Sequence, residues 1–210
     1  MPPDPLPTSL PTPLLRVSGL EAGYGRVQVL WGIHLEVQER ESVVLLGANG
    51  AGKSTTLKAI LGLVPASGGR ILFSGEEITR LRTDHRVRRG IVYMSEASGF
   101  PGLTVDENIR IGAHLLPRRE VRTRAEELYA LFPALTQRRR ALASSLSGGE
   151  RKMLGLAKAL AGRPRLVILD EPSAGLSPRL VNAVVQALST LRGQGLSFLI
   201  AEQNVKFLAL

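Results

Sequence analysis

The residues with the clearest chemical pattern lie between positions 47 and 55. Four of them fit the pattern G-x-x-x-x-G-K-[ST], namely Gly47, Gly52, Lys53 and Ser54. Glycines let backbone N–H groups approach phosphate oxygens, and the lysine neutralises phosphate charge. The serine hydroxyl suits a Mg²⁺ ion that also bridges the phosphates. The pattern therefore predicts a P-loop for a nucleoside triphosphate, formed by Gly47, Ala48, Asn49, Gly50, Ala51, Gly52, Lys53, Ser54 and Thr55.

A second chemical pattern is a pair of adjacent carboxylates after an apolar run at residues 166–171 (LVILDE). At the carboxyl end of a parallel strand, such side chains reach the crevice where ligands bind. We expect Asp170 to hold Mg²⁺, directly or through water. We expect Glu171 to act as general base toward the attacking water. The simpler alternative is that the two acids only solvate the end of a strand.

The elements that must position these residues alternate between strand and helix. Continuous apolar runs at residues 42–46, 166–169 and 197–201 predict buried strands. Helical spacing predicts a helix at 53–64. Ser177 is predicted to cap another helix, which has Pro178 at its first position and ends near Gly193 or Gly195. Residues 66–97 resemble short strands and turns. Buried strands separated by helices predict an α/β fold with a mostly parallel sheet.

The middle of the chain, about residues 98–160, is predicted to be almost entirely helical. Thr104 with Glu107 forms a capping box for a helix at 105–116, and a second helix follows before Pro133. Ser147 with Glu150 forms another capping box. This shift in composition predicts a helical subdomain inserted into the α/β core.

Composition limits the remaining possibilities. With 210 residues and 44% hydrophobic side chains, the chain suits one globular domain, and without cysteine it has no disulfides. Six of the 13 prolines fall in residues 2–13, so residues 1–14 are predicted to be a disordered Pro-rich tail. No apolar run approaches the ~20 residues needed to span a bilayer, and the N-terminus lacks a signal-peptide pattern, which predicts a cytoplasmic location.

The net charge of +9 raises the alternative of a nucleic-acid partner. Arginines cluster at residues 80–89, 118–124 and 138–140, but aromatic side chains for base stacking are few. Solvated helix faces together with a polyanionic nucleotide explain the charge more simply. No nucleic-acid partner is therefore expected.

Residues 146–150 (LSGGE) resemble the signature LSGGQ of the ATP-binding subunits of ABC transporters, and they precede LVILDEP as in that family. Gly148 and Gly149 are costly at a helix start unless a ligand or a close contact requires them. The resemblance covers about residues 15–208. It implies a P-loop NTPase with an ABC-type ATPase core at 15–210, including an N-terminal antiparallel β part and an inserted helical subdomain at about 98–160.

The resemblance implies further site residues. Tyr24 would stack on adenine, and the alternative is a surface tyrosine in a Gly-rich turn. Ser147, Gly148 and Gly149 would contact the γ-phosphate of ATP held by a second subunit. The active form would then be a head-to-tail dimer with two sites, in which residues 173–178 (SAGLSP) meet the partner subunit.

Three positions depart from the commonest family pattern. Glu96 replaces the glutamine that senses Mg²⁺ and water, and it keeps an oxygen ligand for the metal. Gln203 replaces a histidine that contacts the γ-phosphate, and it keeps a neutral donor for a catalytic role beside Glu171. Glu150 replaces the last glutamine of the signature. Nucleotide binding is expected to survive all three changes.

These departures, with TVDEN, GLSP and EQN, resemble the branched-chain amino acid import ATPases. This implies ATP and Mg²⁺ as cofactors and hydrolysis coupled to transport. The implied partners are a second ATPase subunit, identical or different, transmembrane permease subunits and, indirectly, a solute-binding protein. The chain would lie on the inner face of the cell membrane. Family members normally continue beyond Leu210, so a truncated C-terminal end is expected.

Two other functions remain open from the sequence. One is a soluble ABC ATPase acting on nucleic acid or the ribosome, although such proteins usually have two cassettes or a long coiled coil. The other is a nucleotide-binding regulatory module that no longer hydrolyses ATP, against which Glu171 argues. A P-loop kinase or GTPase is disfavoured because LSGGE has no role in either.

Overall fold

A computed structural model of the protein describes residues 12–95 and 99–210 and contains two four-stranded sheets. The antiparallel sheet contains β1 (Leu15–Tyr24), β2 (Val27–Val37), β4 (Ala66–Phe73) and β5 (Glu76–Glu77), in the order β2-β1-β4-β5. The parallel sheet contains β3 (Ser42–Leu46), β6 (Ile91–Met94), β7 (Leu166–Asp170) and β8 (Ser197–Glu202), in the order β3-β8-β7-β6. The predicted combination of a parallel core sheet and an N-terminal antiparallel part is confirmed.

The described residues form seven α-helices. They are α1 (Lys53–Leu61), α2 (Thr83–Arg88), α3 (Val105–Gly112), α4 (Arg118–Leu131), α5 (Pro133–Thr136), α6 (Gly148–Ala161) and α7 (Pro178–Gly193). Helices α3 to α6 lie between residues 105 and 161, close to the predicted range of about 98–160, and both predicted capping boxes are present. That this range forms a separate subdomain stays a prediction. Of the predicted tail, residues 1–11 lie outside the described residues, and Leu14 is buried, with its carbonyl accepting a bond from the Ser74 N–H.

Several predicted boundaries were wrong for local physical reasons. Helix α1 ends before Gly62 instead of at residue 64, because Gly62 adopts a left-handed conformation (φ 82°) that closes the helix. Helix α3 ends at Gly112 instead of residue 116. At this end α3 and α6 approach too closely for a side chain, since a Cβ on Gly112 would lie 2.2 Å from the Lys158 carbonyl oxygen. Helix α2 lies where only strands and turns were predicted, and Ser177 precedes α7 without a side-chain capping bond.

The register of the parallel sheet brings four strand ends to one edge. The last pairs are Leu46 with Glu202, Asp170 with Ala201, and Met94 with Leu169. The loops that follow β3, β6, β7 and β8 therefore leave the sheet side by side. In open α/β sheets this is the edge at which ligands bind.

One arginine of the basic cluster at 80–89 is buried, which corrects the expectation of a fully solvated helix face. Arg86 is only 3% exposed. Its guanidinium donates hydrogen bonds to the carbonyls of Ala59 (2.9 Å), Ile60 (2.6 Å), Thr79 (2.8 Å) and Leu81 (2.9 Å). Burial lowers the pKa of this guanidinium. Two of the four carbonyls belong to the last turn of α1, so Arg86 supports the helix that carries Lys53.

We expect Arg86→Leu to lower the free energy of unfolding by about 3 kcal/mol, because buried carbonyls left without donors cost ~1–3 kcal/mol each before relaxation. Arg88→Leu is the control, since Arg88 lies exposed on the same helix. Its effect should stay within about 0.5 kcal/mol. Urea denaturation of both variants measures the difference. Equal losses in the two variants would contradict a capping role for Arg86.

Candidate functional site

The loop at residues 47–52 joins β3 to α1, which is the strand–loop–helix setting that a P-loop requires. Gly50 and Gly52 both have positive φ, 83° and 89°, so other residues would be strained there. The first backbone bond of the helix joins the Thr56 N–H to the Gly52 carbonyl at 2.9 Å. N–H groups that precede this bond point toward the helix N-terminus, where the helix dipole favours an anion.

Lys53 is held across this loop. Its ammonium donates to the carbonyls of Gly47 at 2.8 Å and Ala48 at 3.0 Å, and the side chain is 8% exposed. An ammonium has three protons, so two can fix it to the loop while the third is offered to a phosphate. The loop is thus folded around a positive charge.

Ser54 and Asp170 meet at the predicted metal site. The Ser54 hydroxyl donates to Asp170 Oδ1 at 2.8 Å. Neighbouring oxygen ligands of an octahedral Mg²⁺, each ~2.1 Å from the metal, lie about 3 Å apart. The two side chains are oxygen donors at this spacing, so they fit the ion. The third predicted ligand, Glu96, lies outside the described residues.

Tyr93 contacts the same carboxylate and was missed by sequence reasoning. Its hydroxyl donates to Asp170 Oδ2 at 2.8 Å. Burial, and then the bond to Asp170, raises the pKa of Tyr93, so the hydroxyl stays a donor at neutral pH. Both oxygens of Asp170 are therefore oriented, one by Ser54 and one by Tyr93. No local sequence pattern marks Tyr93, and its place near the end of β6, at the ligand-binding edge, comes from the fold.

Gln203 links the P-loop to the predicted general base. Its side-chain amide donates to Asn49 Oδ1 at 2.7 Å and to Glu171 Oε1 at 3.2 Å. A neutral glutamine supplies both bonds at any pH, because its amide does not titrate. Residues predicted separately as nucleotide-binding and catalytic are therefore joined in one hydrogen-bonded chain.

A cavity of about 920 Å³ opens at this edge. Its lining residues are Ser54, Lys58, Leu63, Tyr93, Ser95, Asp170 and Glu171. Sites for small ligands have volumes of roughly 300–1,000 Å³.

Tyr24 lies half exposed at the end of β1. The paired strand β2 brings Leu30 close to the P-loop, where a Cβ on Gly52 would lie 3.1 Å from Leu30 Cδ2.

Packing requires a glycine at one of the two signature positions and not at the other. A Cβ on Gly149 would lie 2.5 Å from Leu180 Cδ1, so close packing of α6 on α7 favours a glycine there. A Cβ on Gly148 would meet no atom within 4 Å, so packing does not explain this glycine. Ser147 precedes both and accepts a bond from the Glu150 N–H at 3.3 Å.

Glu150 keeps the capping geometry of the helix start. Its carboxylate accepts the Ser147 N–H at 2.8 Å, and this bond is the first cause that holds the pKa of Glu150 below its usual range. A carboxylate at a helix N-terminus is favourable. The departure from glutamine at this position therefore leaves the start of α6 intact.

The signature end of α6 faces a second cavity. This cavity of about 510 Å³ is lined partly by Gly148, Lys152 and residues 174–176. Its described lining residues include none of those around the first cavity. Within one chain, the signature residues and the P-loop thus face different spaces.

A parallel sheet with a P-loop, a Ser54–Asp170 pair and a Gln203–Glu171 pair at one edge defines a P-loop ATPase. Residues 30–174 match the sequence model of a protein family whose description is ABC transporter. The chain belongs to this family and is one of its ATPases. Within residues 12–95 and 99–210, no helix combines the length and the apolar character needed to cross a bilayer.

Individual relatives agree with this assignment. The high-affinity branched-chain amino acid transport ATP-binding protein BraG of Pseudomonas aeruginosa is 37% identical over 182 residues, covering 86% of this chain and 78% of that protein. The lipopolysaccharide export system ATP-binding protein LptB of Haemophilus influenzae is 39% identical over 198 residues, covering 92% and 81%. A crystal structure of an ATP-binding cassette of an ABC transporter has a TM-score of 0.85 at 26% identity, covering 94% and 84%. The predicted ABC-type ATPase fold is confirmed.

Proposed function

We propose that this chain is the ATP-hydrolysing subunit of an importer for branched-chain amino acids and drives transport through separate membrane subunits. The observation that carries the hydrolytic part is the meeting of Lys53, Asp170, Glu171 and Gln203 at one sheet edge. Similarity to BraG supports the class of cargo.

Each residue of the edge has one task in this proposal. Lys53 and the N–H groups at the start of α1 bind the β- and γ-phosphates. Ser54 and Asp170 would hold Mg²⁺, which would neutralise charge on the phosphates. Glu171 accepts a proton from the attacking water, while Gln203 orients its carboxylate at 3.2 Å. Tyr24 stacks on adenine.

The proposed assembly is a dimer with two composite sites. Packing does not require a glycine at position 148, which faces a cavity away from the P-loop of its own chain. A phosphate of a nucleotide held by a second subunit accounts for that open position. In this proposal the membrane path belongs to separate permease subunits, and this chain lies against them on the inner face of the membrane.

Uptake by a reconstituted complex tests the proposed cargo. We expect proteoliposomes that contain the chain and the membrane subunits that co-purify with it, supplied with the solute-binding protein, to take up labelled leucine, isoleucine and valine when ATP is on the chain's side. A matched complex containing Lys53→Ala should show no uptake, because the phosphate-binding ammonium is absent. Similarity to LptB supplies the competing outcome. ATP-dependent lipopolysaccharide release without amino acid uptake would overturn the importer assignment.

A further inference from the structure

The turn after β7 is held by two buried charged side chains from different elements. Lys152 of α6 is 8% exposed, and its ammonium donates to the Glu171 carbonyl at 3.2 Å. Glu202 at the end of β8 is 2% exposed, and its Oε1 accepts the Ser173 N–H at 2.7 Å. Both side chains bind backbone groups of the turn. We call this pair, Lys152 and Glu202, the clamp.

The backbone of Glu171 needs such support. Its φ is 47°, in the left-handed region that a residue with a Cβ seldom adopts. The Glu171 N–H donates to the Ala201 carbonyl at 2.9 Å, and the Glu171 carbonyl accepts from Ala174 as well as from Lys152. The backbone conformation sets the direction of the side chain. These bonds therefore decide where the Glu171 carboxylate points.

Glu202 also fixes the partner of that carboxylate. Its second oxygen, Oε2, accepts the Gln203 N–H at 2.9 Å and the Asn204 N–H at 3.1 Å. One buried carboxylate thus joins the turn after Glu171 to the loop that carries Gln203. The 3.2 Å bond between the side chains of Gln203 and Glu171 depends on this common anchor.

Lys152 connects the turn to the signature. It lies one helical turn beyond Gly149, on the helix whose first residues open toward the second cavity. A movement of the start of α6 therefore displaces the ammonium that holds the Glu171 carbonyl.

We propose that Lys152 and Glu202 are positioning residues, through which the contacts of the signature helix set the orientation of Glu171. The inference rests on the proposed role of Glu171 as general base. In the proposed dimer, the signature end of α6 faces the partner's nucleotide, while Glu171 serves the nucleotide of its own chain. The clamp then makes hydrolysis at one site depend on occupation of the other.

Steady-state kinetics of the full chain with ATP and Mg²⁺ test the clamp. Lys152→Met should lower kcat about 10- to 100-fold, because a small misplacement of a catalytic group has effects of this size. KM and ATP affinity should change less than about twofold, since the P-loop is untouched. Lys152→Arg should recover most of kcat, because a guanidinium also offers donors to the Glu171 carbonyl. Glu202→Gln should resemble Lys152→Met, because its amide nitrogen places a donor against a backbone N–H.

Lys158→Met is the matched control. Lys158 lies farther along the same helix, with its ammonium 4.9 Å from the centre of the Phe100 ring and no part in the turn. The kcat of the Lys158→Met variant should equal that of the wild type. Amide hydrogen exchange without nucleotide gives a second readout. Exchange at Ser173 should accelerate in Glu202→Gln and exchange at Ala174 in Lys152→Met, while Lys158→Met changes neither.

Two results separate the clamp from the role of Glu171. If Glu171→Gln abolishes turnover while Lys152→Met and Glu202→Gln keep wild-type kcat, the clamp is wrong and the general base stands. If Glu171→Gln keeps turnover, the proposed role of Glu171 is wrong, and only the exchange data then report on the clamp. Equal losses of kcat in Lys152→Met and Lys158→Met would show a general effect on α6 and overturn the clamp.

Discussion

Glu171→Gln should bind ATP with unchanged affinity and hydrolyse it about 10²–10⁴-fold more slowly, the range lost when a general base is removed. Glutamine has nearly the same shape as glutamate. Its carbonyl oxygen can therefore still accept the hydrogen bond from Gln203 Nε2, which lies 3.2 Å from Glu171 Oε1 in the wild-type chain. Its amide cannot take a proton from water. The defect should therefore appear in the chemical step alone, measured as phosphate release in a single turnover beside an equilibrium titration with ATP.

A surface variant controls for the loss of a negative charge. Glu36→Gln removes a half-exposed carboxylate paired with Arg16 on the antiparallel sheet. Exposed ion pairs contribute at most ~1 kcal/mol to stability, so neither binding nor turnover should change. Full turnover in Glu171→Gln would exclude this residue as the base. Equal losses of ATP affinity and rate would assign it to binding instead.

The parts of the site that the sequence predicts are those encoded within a few consecutive residues. The P-loop lies within residues 47–55, and Asp170 with Glu171 ends an apolar run. Parallel pairing then places both at one edge, because carboxyl ends of parallel strands coincide there. Local pattern and a simple topological rule were sufficient for these residues.

The residues that orient the site could not be predicted in this way. Tyr93 is separated by 77 positions from Asp170, Lys152 by 19 from Glu171, and Glu202 by 29 from Ser173. Each contact depends on how elements pack, and no local pattern encodes it. The function of such side chains becomes visible only from the tertiary contacts.

Arg86 shows the same limit in the fold. An arginine in a run of basic residues is normally solvated, so composition favoured a surface position. Its partners Ala59 and Ile60 are 27 and 26 positions away, at the end of another helix. The two signature glycines were predicted in part, because the sequence already showed that glycine destabilises a helix start unless a ligand or a close contact requires it. Only the structure separates Gly149, which packs against Leu180, from Gly148, which does not need to be glycine for packing.

A mixture of two inactive variants should recover about a quarter of wild-type turnover if the site is shared between chains. Lys53→Ala removes the phosphate-binding ammonium. Gly148→Asp adds a negative charge where the partner's γ-phosphate is proposed to lie, and each variant alone should keep about 1% of turnover or less. An aspartate suits a helix N-terminus, and open space surrounds Gly148, so this variant should fold normally.

The expected quarter follows from the composition of the dimers. Equal mixing makes about half of them mixed, and each mixed dimer has one site with both defects and one with neither. A quarter is therefore an upper value, which coupling through Lys152 would lower. The control mixes Lys53→Ala with a chain carrying both substitutions, and it should stay inactive because every site then lacks Lys53. If the first mixture were no more active than its parents, two copies of this chain would not share a site, and a composite site formed by identical subunits would be excluded.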